Sequence, residues 1–79
     1  MIRYTPHAEE KIADRQLDRV WIEATIMQPD RTERDPRPGR TRSYRAIPEF
    51  GGRVLRVVHR QEGADIVVIT VHFDRGARP

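Results

Sequence analysis

The stretch Ile66-Val67-Val68-Ile69-Thr70-Val71-His72-Phe73 decides the fold class. It is rich in β-branched residues and follows the turn signal Glu62-Gly63-Ala64-Asp65, so it reads as a strand. Ile66 to Ile69 are apolar on both faces, which places that strand in the middle of a sheet. Upstream, Arg53–Arg60 puts Leu55, Val57 and His59 on one face and Arg56, Val58 and Arg60 on the other. Gly51-Gly52 separates it from a strand over Ser43–Ile47. The polar stretch Arg31 to Arg42, with Pro36, Pro38 and Gly39, reads as a weak edge strand followed by a loop.

Before Asp30 the pattern is helical. Thr5 is the expected N-cap and Pro6 fits the first helical position, where its missing N–H costs nothing. Helix one is expected from about Pro6 to Arg15, burying Ala8 and Ile12. Asp18 caps a second helix, with Leu17 and Ile22 at the two positions of a hydrophobic staple. That helix carries Val20, Trp21, Ala24 and Met27, widened by Ile22 and Ile26, and stops at Pro29. The expectation is one α+β domain over residues 1–79, with two N-terminal helices packed on one face of a mainly antiparallel sheet of about four strands. Helix two should lie on the face made by Val67, Ile69, Val71 and Phe73, with Trp21 and Ile69 in one core. The opposite sheet face is left open.

A chain of 79 residues buries only about 60–65% of its unfolded surface, so the core is thin. Without cysteine, disulfides and zinc-thiolate sites are excluded. No stretch approaches the roughly 20 apolar residues of a membrane span, and the start Met1-Ile2-Arg3-Tyr4 does not resemble a signal peptide. A cytoplasmic protein with no membrane partner is expected. The net charge is +3, and all but one of the 15 basic residues are arginine, Lys11 being the exception. A guanidinium fork grips phosphate in a bidentate way that an ammonium cannot.

Three groups of residues could support chemistry. His7, Lys11 and Arg15 recur every fourth residue on one side of helix one. Lys11 and Arg15 are like charges, and so are Glu10 and Asp14, which costs local helix stability and hints at an external partner for the basic stripe. A neutral imidazole at His7 would be fit to accept a proton. The second group is Arg31, Arg34, Arg37 and Arg40, followed by Arg42 and Arg45. In a polyproline-like segment the first four would line one side as a phosphate-gripping arm, and in a regular strand they would alternate. The third is Thr70 and His72, looking out from the open face beside Arg56. The pattern contains no phosphate loop, GxGxxG or nucleophile elbow. His7, His59 and His72 fit no short metal motif, and no cofactor is expected.

Thr5-Pro6-His7-Ala8, Lys11-Ile12 and Asp14-Arg15 resemble the opening of the bacterial family called domain of unknown function 4258. Arg56-Val57-Val58 and Val68-Ile69-Thr70-Val71 are similar to its closing strands, so the likeness runs from Arg3 to about Phe73. Lys11 departs from the arginine usual in that family, keeping the charge but losing the fork. The helix-helix-sheet layout of the family is similar to the RNase-like toxin fold of RelE-like and BrnT-like toxins. By that analogy the resemblance implies His7 and Arg15 on helix one and Thr70 on the last strand as site residues.

The combined expectation is a toxin-like RNase fold that engages RNA and cleaves it without a metal, with a small antitoxin-like protein as a second partner. His7 or His72 would take the 2′-hydroxyl proton, and Arg15 with Arg56 or Arg45 would hold the phosphate. Lys11, Arg40 and Arg42 would add phosphate contacts. The alternative is a non-catalytic module that binds nucleic acid or protein.

Overall fold

The computed structural model describes residues 1–76. The chain runs β1 (Ile2–Tyr4), α1 (Pro6–Arg15), α2 (Arg19–Met27), β2 (Arg31–Arg34), β3 (Arg40–Ile47), a 3-10 turn (Pro48–Phe50), β4 (Arg53–Glu62) and β5 (Asp65–Phe73). The expected caps form: Thr5 Oγ1 accepts from the Ala8 N–H, and an Asp18 carboxylate oxygen accepts from the Val20 N–H. Leu17 and Ile22 are both buried, as a hydrophobic staple requires.

The sheet has five strands in the order β1-β5-β4-β3-β2, where about four were expected. The added strand is β1, which pairs parallel to β5 and sets Ile2 opposite Ile66 and Tyr4 opposite Val68. The other neighbours are antiparallel, so the sheet is mixed. β4 is the central strand, and β5 is flanked on both sides only where β1 reaches it.

β5 contains an irregularity that the alternation of its residues did not reveal. Thr70 sits opposite Val58, but Val68 sits opposite His59, so Ile69 is an extra residue between them. The bulge changes which face each side chain takes. Thr70 and His72 align with Val58 and Arg56 on the face without helices, and Val67 joins them there. Val68 therefore belongs with Val71 and Phe73 on the helix side, correcting the face expected for Ile66 to Ile69.

Both helices pack on this second face. α1 lies over β5, whereas α2 lies over β4 and β3 and not over β5 as expected. The core is Ala8, Ile12, Leu17, Ile22, Ile47, Leu55, Val57, Val68 and Val71. Trp21 packs at its margin, edge-on to Phe50 and Phe73, while Ile69 stays outside it.

The opposite face has no helix, yet Val54, Val58, Val67 and Tyr44 are buried there. Arg40, Arg42, Arg56 and Arg60 on the same face are half-buried, and the first three surround Val58 together with Asp35, Pro36 and Arg37 of the β2–β3 loop. The Arg31 guanidinium lies 3.9 Å over the Tyr44 ring. The arginines Arg31 and Arg34 alternate faces, opposite Tyr44 and Thr41, so they do not form a one-sided arm. Among the described residues no helix is long and apolar enough to cross a membrane.

Candidate functional site

β1 leaves the sheet after Tyr4, and Thr5 ties the departing chain to the bulge. Its N–H donates to Val68 O and its hydroxyl to Ile69 O, each at 3.0 Å. The same hydroxyl caps α1, so the helix begins beside the bulge. His7, in the first turn, is thereby set against β5, with Nε2 3.1 Å from Thr70 Oγ1. Which group donates depends on the imidazole tautomer.

Farther along α1, Lys11 is half-buried and Arg15 is exposed. Neither forms an ion pair among the described residues. Their charges nevertheless act on His72. Burial pushes the His72 imidazole below its ordinary basicity, Arg56 pushes it further, and Lys11 and Arg15 add to this against an opposing pull from Asp74. The His72 imidazole is therefore harder to protonate than an ordinary histidine.

Arg56 faces His72 across the β4–β5 pair. One terminal nitrogen lies 3.6 Å from Asp74 Oδ2, and its Nε is buried with no hydrogen-bond partner. Arg42, opposite Val58, donates from Nε to Asp35 Oδ2 at 2.9 Å. The Arg37 N–H first and the Arg42 guanidinium second hold the Asp35 carboxyl below the usual carboxylate range. Asp35, Pro36 and Arg37 of the β2–β3 loop line one side of an open chamber of about 280 Å³, also lined by Arg40, Arg42, Arg56, Val58 and Thr70. Thr70 thus has the chamber on one side and His7 on the other.

Of the anticipated residues, His7, Lys11, Arg15, Arg40, Arg42, Arg56, Thr70 and His72 gather around this face and the adjoining flank of α1. Arg45 does not. It points to the helix side opposite Leu55 and donates to Gln28 O at 2.6 Å. His59 is also on the helix side, where its Nε2 lies 2.8 Å from Ser43 Oγ and burial lowers its basicity. Asp35 was not anticipated, whereas Arg37 belongs to the expected phosphate-gripping series and lines the chamber together with Arg40. Pro36, Pro38 and Gly39 mark a loop in the sequence, but nothing there says that it folds over Thr70. Among the described residues, no three histidine, aspartate or glutamate side chains gather as a metal site would require.

Residues 4–73 match the family model described as Domain of unknown function (DUF4258). The chain belongs to the DUF4258 family. The matched span of this DUF4258 domain includes His7, Lys11, Arg15, Arg56, Thr70 and His72, and therefore both flanks of the chamber. No curated protein and no solved structure matches the chain.

Proposed function

We propose that this domain binds RNA across the helix-free sheet face and cleaves it by metal-independent transesterification, in the manner of a toxin-like RNase fold. The observation behind this reading is the meeting of two imidazoles and a hydroxyl with a cluster of guanidiniums, in which His7 bonds Thr70 and His72 faces Arg56. His72, disfavoured as a cation, takes the proton of a 2′-hydroxyl. The freed oxygen bonds to the adjacent phosphorus as the bond from phosphorus to the 5′ oxygen breaks. The leaving oxygen takes a proton from His7, giving a 2′,3′-cyclic phosphate and a 5′-hydroxyl. Arg56, with Arg15 and Lys11 at the flank, stabilises the charge that develops on the phosphoryl oxygens.

The test is cleavage of a mixed RNA pool in the presence of chelator, with circular dichroism of each variant. His72→Ala and His7→Ala should each lower the rate by about 10²–10⁴-fold. His59→Ala, on the other face, should retain activity. No cleavage by the wild-type chain would remove the enzyme reading.

A second reading has its own support. Lys11, Arg15, Arg37 and Arg40 carry no ion pair among the described residues, which suits a surface that only binds. Binding alone would weaken in small steps over several arginines, with a linear fall of log affinity against log salt. A small antitoxin-like protein remains part of the proposal as the partner that would cover the same face.

A further inference from the structure

We propose that the chamber beneath the β2–β3 loop is a site for one phosphate group, and that Asp35 is its resident competitor. The inference rests on the RNA reading only for the molecule that brings the phosphate. The anion site itself follows from the charges and donors on the chamber wall.

Four arginines, Arg37, Arg40, Arg42 and Arg56, line the chamber against a single carboxylate, Asp35. One of these cations has an unmet need. Arg56 Nε is buried without an acceptor, and the nearby Asp74 carboxylate meets a different nitrogen at the long distance of 3.6 Å. A buried donor of a charged group left without a partner is costly, and a shift of the Arg56 side chain toward an oxyanion in the chamber it lines would relieve it. Arg37 and Arg40 have no carboxylate partner among the described residues. Thr70 adds a hydroxyl to the same wall.

Asp35 already does on Arg42 what a phosphate oxygen would do. One carboxylate oxygen accepts from Arg42 Nε and the other from the Arg37 N–H, both at 2.9 Å. It fixes the loop over the chamber and places one negative charge beside the vacant donors. An incoming phosphate gains the guanidiniums but meets that charge. Asp35 therefore lowers affinity for small anions while keeping Arg42 in position. A polyanion such as RNA overcomes the penalty through the other cations on the face, including Lys11 and Arg15.

The experiment titrates the full chain with inorganic phosphate and, separately, with a dinucleoside monophosphate bearing one phosphodiester. Binding is followed by backbone amide and arginine side-chain NMR signals. Phosphate should shift the Arg56 Nε–H and the amides of Asp35 to Arg42. Asp35→Asn removes the charge and keeps one of the two acceptor oxygens, which can still hold the loop through the Arg37 N–H while Arg42 Nε is released, and should tighten phosphate binding several-fold. Arg56→Gln should weaken it by about tenfold or more, the effect of losing a charged hydrogen bond. Arg45→Gln, on the other face, is the control and should bind like wild type. Shifts scattered over the surface, an unchanged Arg56→Gln, or weaker binding by a folded Asp35→Asn would overturn the proposal. If Arg56→Gln fails to fold, Arg56→Lys decides instead, since it keeps the charge but loses the buried Nε donor and should still weaken binding. Phosphate binding without RNA cleavage removes the ribonuclease reading and leaves the anion site standing. RNA cleavage by a chain whose chamber ignores phosphate does the reverse. Dinucleotide binding would assign the site to a phosphodiester, and binding of phosphate alone would assign it to a free phosphate.

Discussion

On one side of the sheet Leu55, Val57, Val68 and Val71 are sealed beneath Ala8, Ile12 and Ile22, and on the other Val54, Val58 and Val67 are buried with no helix above them. Both layers exclude water, but by different means. The first uses side chains whose only contribution is apolar area and close packing. The second uses arginine stems and a loop, whose charged ends remain available for a ligand. A domain this small has little material for a second layer, and under the proposed anion site its arginines would serve both as cover and as binding groups. The helix side should therefore govern stability, and the arginine side should tolerate change in stability while losing function.

The strongest attack on that contrast is Ile22→Ala. Ile22 is 0% exposed, and removing it should cost about 2–5 kcal/mol, enough to unfold much of the population. Urea unfolding followed by circular dichroism measures it. Val58→Ala, under the arginine cover, should cost only about 1 kcal/mol, because flexible stems can settle into the space. Equal losses at the two positions would mean that the arginines pack like a true core. Arg56→Met sharpens the comparison further. It replaces a half-buried, under-satisfied cation by an apolar chain of similar length, and stability should change by less than about 1 kcal/mol in either direction. Phosphate binding by that variant should be lost.

The smallest effect is the dependence on pH. His59 on the helix side and His72 on the arginine side are both less basic in the fold than their ordinary value of 6.5. As pH falls through that value the unfolded chain takes up protons that the folded chain refuses, so stability is full above it and declines below it. Denaturation series between about pH 7 and about pH 5 should show the decline, before the carboxylates of Glu33, Asp35 and Glu62 begin to titrate. Replacing either histidine with glutamine should flatten part of the slope, and a slope unchanged in both variants would contradict the assignment.

The helices were legible because their signals are local. Thr5-Pro6 and Asp18 cap them, and Leu17 with Ile22 fixes the entry to the second. β1 was not legible, since Ile2–Tyr4 is too short to alternate and owes its conformation to β5. The bulge at Ile69 leaves no mark in a run of β-branched residues, so plain alternation puts Ile66, Val67 and Val68 on the opposite faces from those they take. Thr70, His72 and Arg56 lie beyond the slip and were placed correctly on the face away from the helices. Arg45 follows Arg40 and Arg42 in the sequence series, but the alternation of β3 sends it to the helix side. Asp35 and Arg37 depend on how a loop folds back, which has no periodicity to read.

The pairing of β1 with β5 also governs when the molecule becomes competent. His7 and Thr70, in hydrogen-bond contact, are 63 positions apart in the chain. During synthesis the first helix emerges long before the strand that completes its neighbourhood, so no nascent fragment holds the two groups together. Closing so wide a loop is entropically slow, and a topology dominated by such distant contacts folds late and as a whole. The contact between His7 and Thr70 thus exists only once β5 has docked beside the start of α1.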